Sequence, residues 1–129
     1  MRVAILGDFE RHCEMMERAL LEVYRQGMKF VPLSRIGHAH FAWLVAPDGL
    51  VSVPTAMDIG LAHGGSVPIF TPHFVADQTL RHYAYRVPDL VTVCDVLLDA
   101  RRERHQHDRE ARRLLVLEHP DLRFTFSSR

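Results

Sequence analysis

The segment HFAWLVA (residues 40–46) carries no polar side chain after its first residue. A strand with one wet face alternates apolar and polar residues, so an unbroken apolar run marks a strand covered on both faces. The runs within RVAILG (2–7) and VPIFT (67–71) read the same way. Strands buried on both sides belong to parallel sheets, because the crossover between parallel neighbours lays a helix on the sheet. The chain is thereby restricted to an α/β arrangement with HFAWLVA as its central strand.

The segments between these runs supply the crossovers. Asp8 is placed to cap a helix running to about Gln26. Within it Cys13, Met16, Leu20 and Val23 recur at helical spacing to face the core, while Glu14, Arg18 and Glu22 stand four apart on the outer side, where they can pair. Gly27 stops the helix. MKFVPL (28–33) is a second strand, and its Pro32 suits an edge or a strand end. Thr55–His63 reads as a short helix stopped by Gly64 and Gly65, Asp77–Tyr85 as one or two helical turns, and LVTV (90–93) as a fifth strand leading into a helix near Asp95. The order β-α-β-β-α-β-α-β-α predicts a parallel sheet of about five strands between two helical layers in residues 1–95, followed by a helical extension over 96–129.

Composition narrows the function. The chain has 129 residues, of which 47% are hydrophobic and 25% charged, enough for one domain with its own core. Lys+Arg and Asp+Glu both number 16, a balance unsuited to gripping nucleic acid or anionic lipid. No run approaches the roughly 20 apolar residues of a membrane span. MRVAILGD turns acidic after five apolar residues, unlike a signal peptide, so a cytoplasmic protein is expected. Cys13 and Cys94 then read as reduced, buried thiols.

The C-terminal third differs in character. RRERHQHDREARR (101–113) sets six arginines against Glu103, Asp108 and Glu110, with Ala111 as its one apolar side chain, before LLVL (114–117). One long helix whose middle leaves the core fits, and so do two helices broken near His107. A solvated helix laced with i,i+4 pairs accounts for the charge, and a phosphate-contacting surface is the alternative. LLVL, Phe124 and Phe126 lie beyond the expected sheet. They predict a homodimer or larger assembly held partly by residues 96–126, unless 114–126 fold back on their own domain.

In an open parallel sheet ligands bind beyond the carboxyl ends of the strands. Asp8, Asp48 and Asp58 converge on that rim, joined by Phe9, Ser52, Thr55 and His73, with Gly7 and Gly49 letting backbone approach a ligand. Asp58 falls in the first turn of the Thr55 helix, where an anion is stabilised and N–H groups are free. Thr55-x-x-Asp58 also fits a capping box that needs no function. His73, just past a strand end, suits a ligand contact or proton shuttle, or a surface or capping role. The pairs His38/His40 and His105/His107 lack a third ligand of metal-site spacing. No Walker motif, G-x-G-x-x-G or Ser-His-Asp order is present, and no cofactor or metal is expected.

The segment APDGLVSVPTAMDIGLAHGGSVPIFT (46–71) resembles the signature of the nucleoside 2-deoxyribosyltransferase-like family: an apolar strand, Pro-Asp-Gly, a short loop, Ser/Thr-x-x-Glu-Ile-Gly-x-Ala, a small-residue helix end and Pro-Ile on the next strand. The resemblance covers roughly residues 2–95. It implies a flavodoxin-like or Rossmann-like three-layer α/β sandwich, an oligomer, and cleavage or transfer of the N-glycosidic bond of a nucleoside or nucleotide. The family's nucleophilic Glu corresponds to Asp58, one methylene shorter. Asp48 corresponds to an acid or base-orienting group, Ser52 and Thr55 to the loop against the sugar or its 5′ substituent, and Asp8 and Phe9 to residues against the base. Gly60 and Ala62 fit close helix–sheet packing. His40 stands where relatives often carry an Asp. A non-catalytic nucleotide-binding or assembly protein with a degenerate pocket is the alternative.

Overall fold

A computed structural model describes residues 1–118. Its strands are β1 (Arg2–Gly7), β2 (Lys29–Phe30), β3 (Phe41–Val45), β4 (Ile69–Thr71) and β5 (Ala84–Arg86), and its helices α1 (Cys13–Arg25), α2 (Val53–Gly64), α3 (Gln78–Arg81) and α4 (Leu90–Glu118). A 3₁₀ segment, Leu33–His38, joins β2 to β3. The strands form one sheet in the order β2-β1-β3-β4-β5, and every neighbouring pair is parallel. This is the flavodoxin-like order of a doubly wound α/β fold. Residues Met1–Val93 form one compact unit and the chain from Cys94 a second.

Period-two geometry sorts the sheet's side chains into two cores. Ala4, Leu6, Ala42, Leu44 and Ile69 pack with Ile59 and Ala62 of α2 and with Ile36 of the 3₁₀ segment. Trp43 and Val45 take the other face, where they line a cleft with Met15 and Ala19 of α1. All five residues of β3 are buried, as the unbroken apolar run requires. On α1 the buried residues are Met16, Ala19 and Val23.

Four expectations change. Helix α1 starts at Cys13, with His12 in the cap position and no side-chain cap bond, so Asp8 is not its cap. Residues 8–12 instead make a separate turn closed by the His12 N–H donating to the Asp8 carbonyl at 3.0 Å. Cys13, as the first helical residue, is exposed rather than core. Helix α2 starts two residues earlier than expected, because Ser52 caps it by accepting from the Thr55 N–H. LVTV is not a strand: the Asp89 carboxylate accepts from the Thr92 N–H at 2.8 Å and its hydroxyl at 2.7 Å, starting α4 at Leu90. Leu90 and Val93, one turn apart, are then buried together. That cap outweighs the β-branched residues that suggested a strand. The fifth strand is β5, which has no apolar run because it lies on the sheet edge.

Helix α4 is continuous to Glu118. The side chains of LLVL, and Phe124 and Phe126, lie outside the described residues. Among the described residues no helix is long and apolar enough to cross a membrane.

Two glycines test the backbone directly. Gly27 and Gly49 both have positive φ, 71° and 77°. A Cβ on Gly27 meets nothing within 4 Å, whereas one on Gly49 would lie 2.8 Å from the Phe74 carbonyl oxygen. Gly27→Ala is expected to cost about 1–2 kcal/mol from the left-handed backbone alone. Gly49→Ala should cost clearly more in the same urea-unfolding series, and equal losses would show that the 74–76 loop does not press on Gly49.

Candidate functional site

The chain leaves β1 and β3 towards opposite sides of the sheet, through α1 and α2, which opens a crevice at their carboxyl ends. Gly7 ends β1 there. A Cβ on it would lie 2.7 Å from Met16 Sδ and 2.9 Å from the Val45 carbonyl oxygen, so this glycine lets α1 close onto β3. Gly49 likewise admits the Phe74–Ala76 loop, and its carbonyl accepts from the Ala76 N–H at 2.9 Å. Both glycines thus permit close internal approach of backbone and side chain.

Asp48 is the hub of the crevice. Its carboxylate ion-pairs with Arg11, accepts from the Leu50 N–H at 3.0 Å, and has His12 Nε2 at 3.4 Å. The Leu50 N–H chiefly holds the Asp48 carboxyl below the usual range; Arg11 and His12 add to this, and partial desolvation opposes it. Held in this way, the Asp48 carboxylate is ionised and engaged on both oxygens. His12 Nε2 is buried and makes no hydrogen bond among the described residues. Arg11 and His12 fall in the turn at 8–12, where the sequence predicts helix and so no convergence on the rim.

His73 stands beyond β4. The Ala46 N–H donates to its Nδ1 at 3.0 Å, and its own N–H donates to Thr71 Oγ1 at 3.1 Å. Thr71 in turn donates to the Leu44 carbonyl at 2.8 Å. A ring nitrogen that accepts from a backbone N–H carries no proton, which places the proton of the neutral imidazole on Nε2. Burial, followed by the nearby His12 and Arg86 charges, pushes the His73 pKa down.

Ser52 and Thr55 meet through a 3.0 Å hydroxyl–hydroxyl bond and cap α2. With the cap at Ser52, Asp58 lies in the second turn of α2 rather than the first, so neither the capping box nor the exposed first-turn N–H groups apply to it. It is half-buried and makes no hydrogen bond or ion pair among the described residues, and burial raises its carboxyl pKa. Among the described residues no hydrogen bond or ion pair joins it to the Asp48 cluster. Asp8 contributes its carbonyl to the turn, and Phe9 is 51% exposed. Ala62 is buried as expected, but a Cβ on Gly60 would meet open space. His40 sits at the amino end of β3, away from this rim, and its Nδ1 accepts from the Arg2 N–H at 2.8 Å.

On the α1 side of the rim lies a cleft of about 360 Å³, lined among others by Met15, Arg18, Trp43, Val45, His73 and Leu90. Of the residues expected at the site only His73 borders it. Among the described residues no cluster of three His, Cys, Asp or Glu side chains is placed to hold a metal. No family model, curated protein or solved structure matches the chain.

The lowered His73 pKa has a signed consequence. A depressed folded-state value means that the unfolded chain binds the proton first as pH falls. The stabilisation is therefore complete above about pH 6.5, the ordinary histidine value, and fades as pH drops towards the folded value. His73→Asn keeps an acceptor for the Ala46 N–H but cannot titrate. Subtracting its thermal-melt pH profile from that of the wild type should leave a difference that falls in favour of the variant below pH 6.5; parallel profiles would show that His73 is not held neutral.

Proposed function

We propose that this chain binds a nucleoside or nucleotide at the carboxyl ends of β1, β3 and β4 and cleaves or transfers its N-glycosidic bond. The observation that carries the reading is the Arg11–Asp48–His12 cluster at the β1/β3 crevice, with His73 beside it, at the end of an all-parallel sheet where such folds take ligands. Asp58 is the nucleophile: its carboxylate attacks C1′, the bond to the base breaks, and the base leaves with a proton from water. Water or a second base then opens the glycosyl ester. With no ion pair among the described residues, and with burial alone raising its pKa, the Asp58 carboxylate is free for attack. Asp48 orients, Ser52 and Thr55 flank the sugar, and Asp8 and Phe9 border the entrance. The protein acts as a homo-oligomer on a small molecule and needs no cofactor.

A second reading is binding without turnover. It is favoured by the engagement of Asp48 with Arg11 and by the lack, among the described residues, of a hydrogen bond or ion pair between Asp58 and that cluster. Incubation with nucleosides and their 5′-monophosphates, at enzyme near substrate concentration, decides between them through release of free base. Asp58→Asn should abolish release while folding normally, since Asp58 caps nothing. The variant should also be at least as stable as the wild type at pH 7, because it removes a partly desolvated charge. Release by the variant at the wild-type rate removes Asp58 from the mechanism; no release by the wild type leaves the binding reading.

A further inference from the structure

We propose that the cleft between α1 and the carboxyl ends of β3 and β4 receives the planar base of the ligand, with Trp43 and Val45 as floor, His73 Nε2–H as donor to a ring acceptor, and Arg18 at the mouth. The ligand class rests on the reading above; the place of the base does not depend on turnover.

A cleft of about 360 Å³ is of ligand size. Its floor is apolar: Trp43 is 6% and Val45 3% exposed. Met15 and Leu90 flank it. A flat ring with weakly polar faces covers such a floor, whereas a sugar would leave hydroxyls unpaired against it. The resemblance placed the base against Asp8 and Phe9, but Phe9 is half exposed in the turn before α1.

The cleft offers one fixed donor. Because Ala46 occupies Nδ1, the His73 proton resides on Nε2, which has no protein partner among the described residues. Nucleobases present nitrogen or carbonyl acceptors along the ring edge, so one hydrogen bond both holds and orients the ring. At the mouth both carboxylates are already engaged. Glu22 accepts from the Gln26 amide at 3.0 Å and lies 4.0 Å from Arg25, and Asp89 is held by Thr92. Arg18 was expected to pair with Glu14 and Glu22 across α1, yet it has no ion pair among the described residues and borders the cleft instead. Its guanidinium is free for a ring carbonyl or for a phosphate on the same ligand.

Trp43 is the chain's single tryptophan, so its emission reports on this cleft alone. The full chain is titrated with adenosine, AMP and ribose 5-phosphate, exciting at the red edge of indole absorption. Saturable change with adenosine and AMP, and none with ribose 5-phosphate, is the expected result. AMP binding more tightly than adenosine, with the gap closed by Arg18→Gln, assigns Arg18 to the phosphate; equal binding, weakened alike by that variant, assigns it to the ring. His73→Asn, checked for native circular dichroism, should weaken binding about tenfold, the worth of one hydrogen bond. No saturable change up to millimolar ligand overturns the proposal, as does ribose 5-phosphate matching AMP or undiminished binding by His73→Asn. Asp58→Asn separates the two readings: it should keep the Trp43 response while losing base release. Base release without a Trp43 response upholds the glycosidic reading and overturns this one.

Discussion

Burial of β3 on both faces is the constraint from which the rest of the molecule follows. Phe41 through Ala46 have almost no contact with solvent, so each face needs its own cover. The 3₁₀ segment and α2 cover Ala42, Leu44 and Ala46, while α1 lies over the Trp43 and Val45 side. A strand enclosed in this way has parallel neighbours joined by crossovers, and those crossovers leave β1 and β3 on opposite sides of the sheet. The crevice at their carboxyl ends is therefore a product of the same burial that holds the fold together.

The crevice is closed by polar contacts that the backbone sets up. The tight turn at Gly49 brings the 74–76 loop against it, while the Asp48 carboxylate, fixed by the Leu50 N–H, reaches across to Arg11 and His12. On the far side, the Ala46 N–H has no strand partner and is satisfied by His73. A buried N–H left without an acceptor is costly, so this histidine is tied to the end of β3 and its tautomer is decided there. One imidazole thus satisfies the end of β3 and borders the cleft, where its other nitrogen is the donor we propose for a ligand.

The parts of the fold written in uninterrupted apolar runs were legible: β1, β3 and β4 are where those runs lie, and Pro32 marks the edge strand β2. Segments governed by a local polar contact were not. Asp89 converts a β-branched stretch into the start of α4, and Ser52 rather than Thr55 opens α2, which carries Asp58 out of the first turn. Edge strand β5 has no apolar signature to read. At the site, Asp48 and His73 were found from their place after apolar runs, because strand ends are predictable. Arg11 and His12 were not, since no residue in Phe9–His12 announces a turn. The Trp43 cleft was invisible for another reason: it depends on how α1 crosses β3, which no single segment encodes.

We propose the carboxyl edge of this sheet, at the β1/β3 crevice and the adjoining Trp43 cleft, as the ligand site. Amide chemical-shift mapping of the isotope-labelled chain with AMP addresses it residue by residue. The largest changes should fall on Gly7–His12, on Ala46–Leu50 and on His73, with the Ala46 amide among them because it donates to the His73 ring. Changes confined to the arginine-rich stretch 101–113, or the absence of any saturable change, would contradict the account.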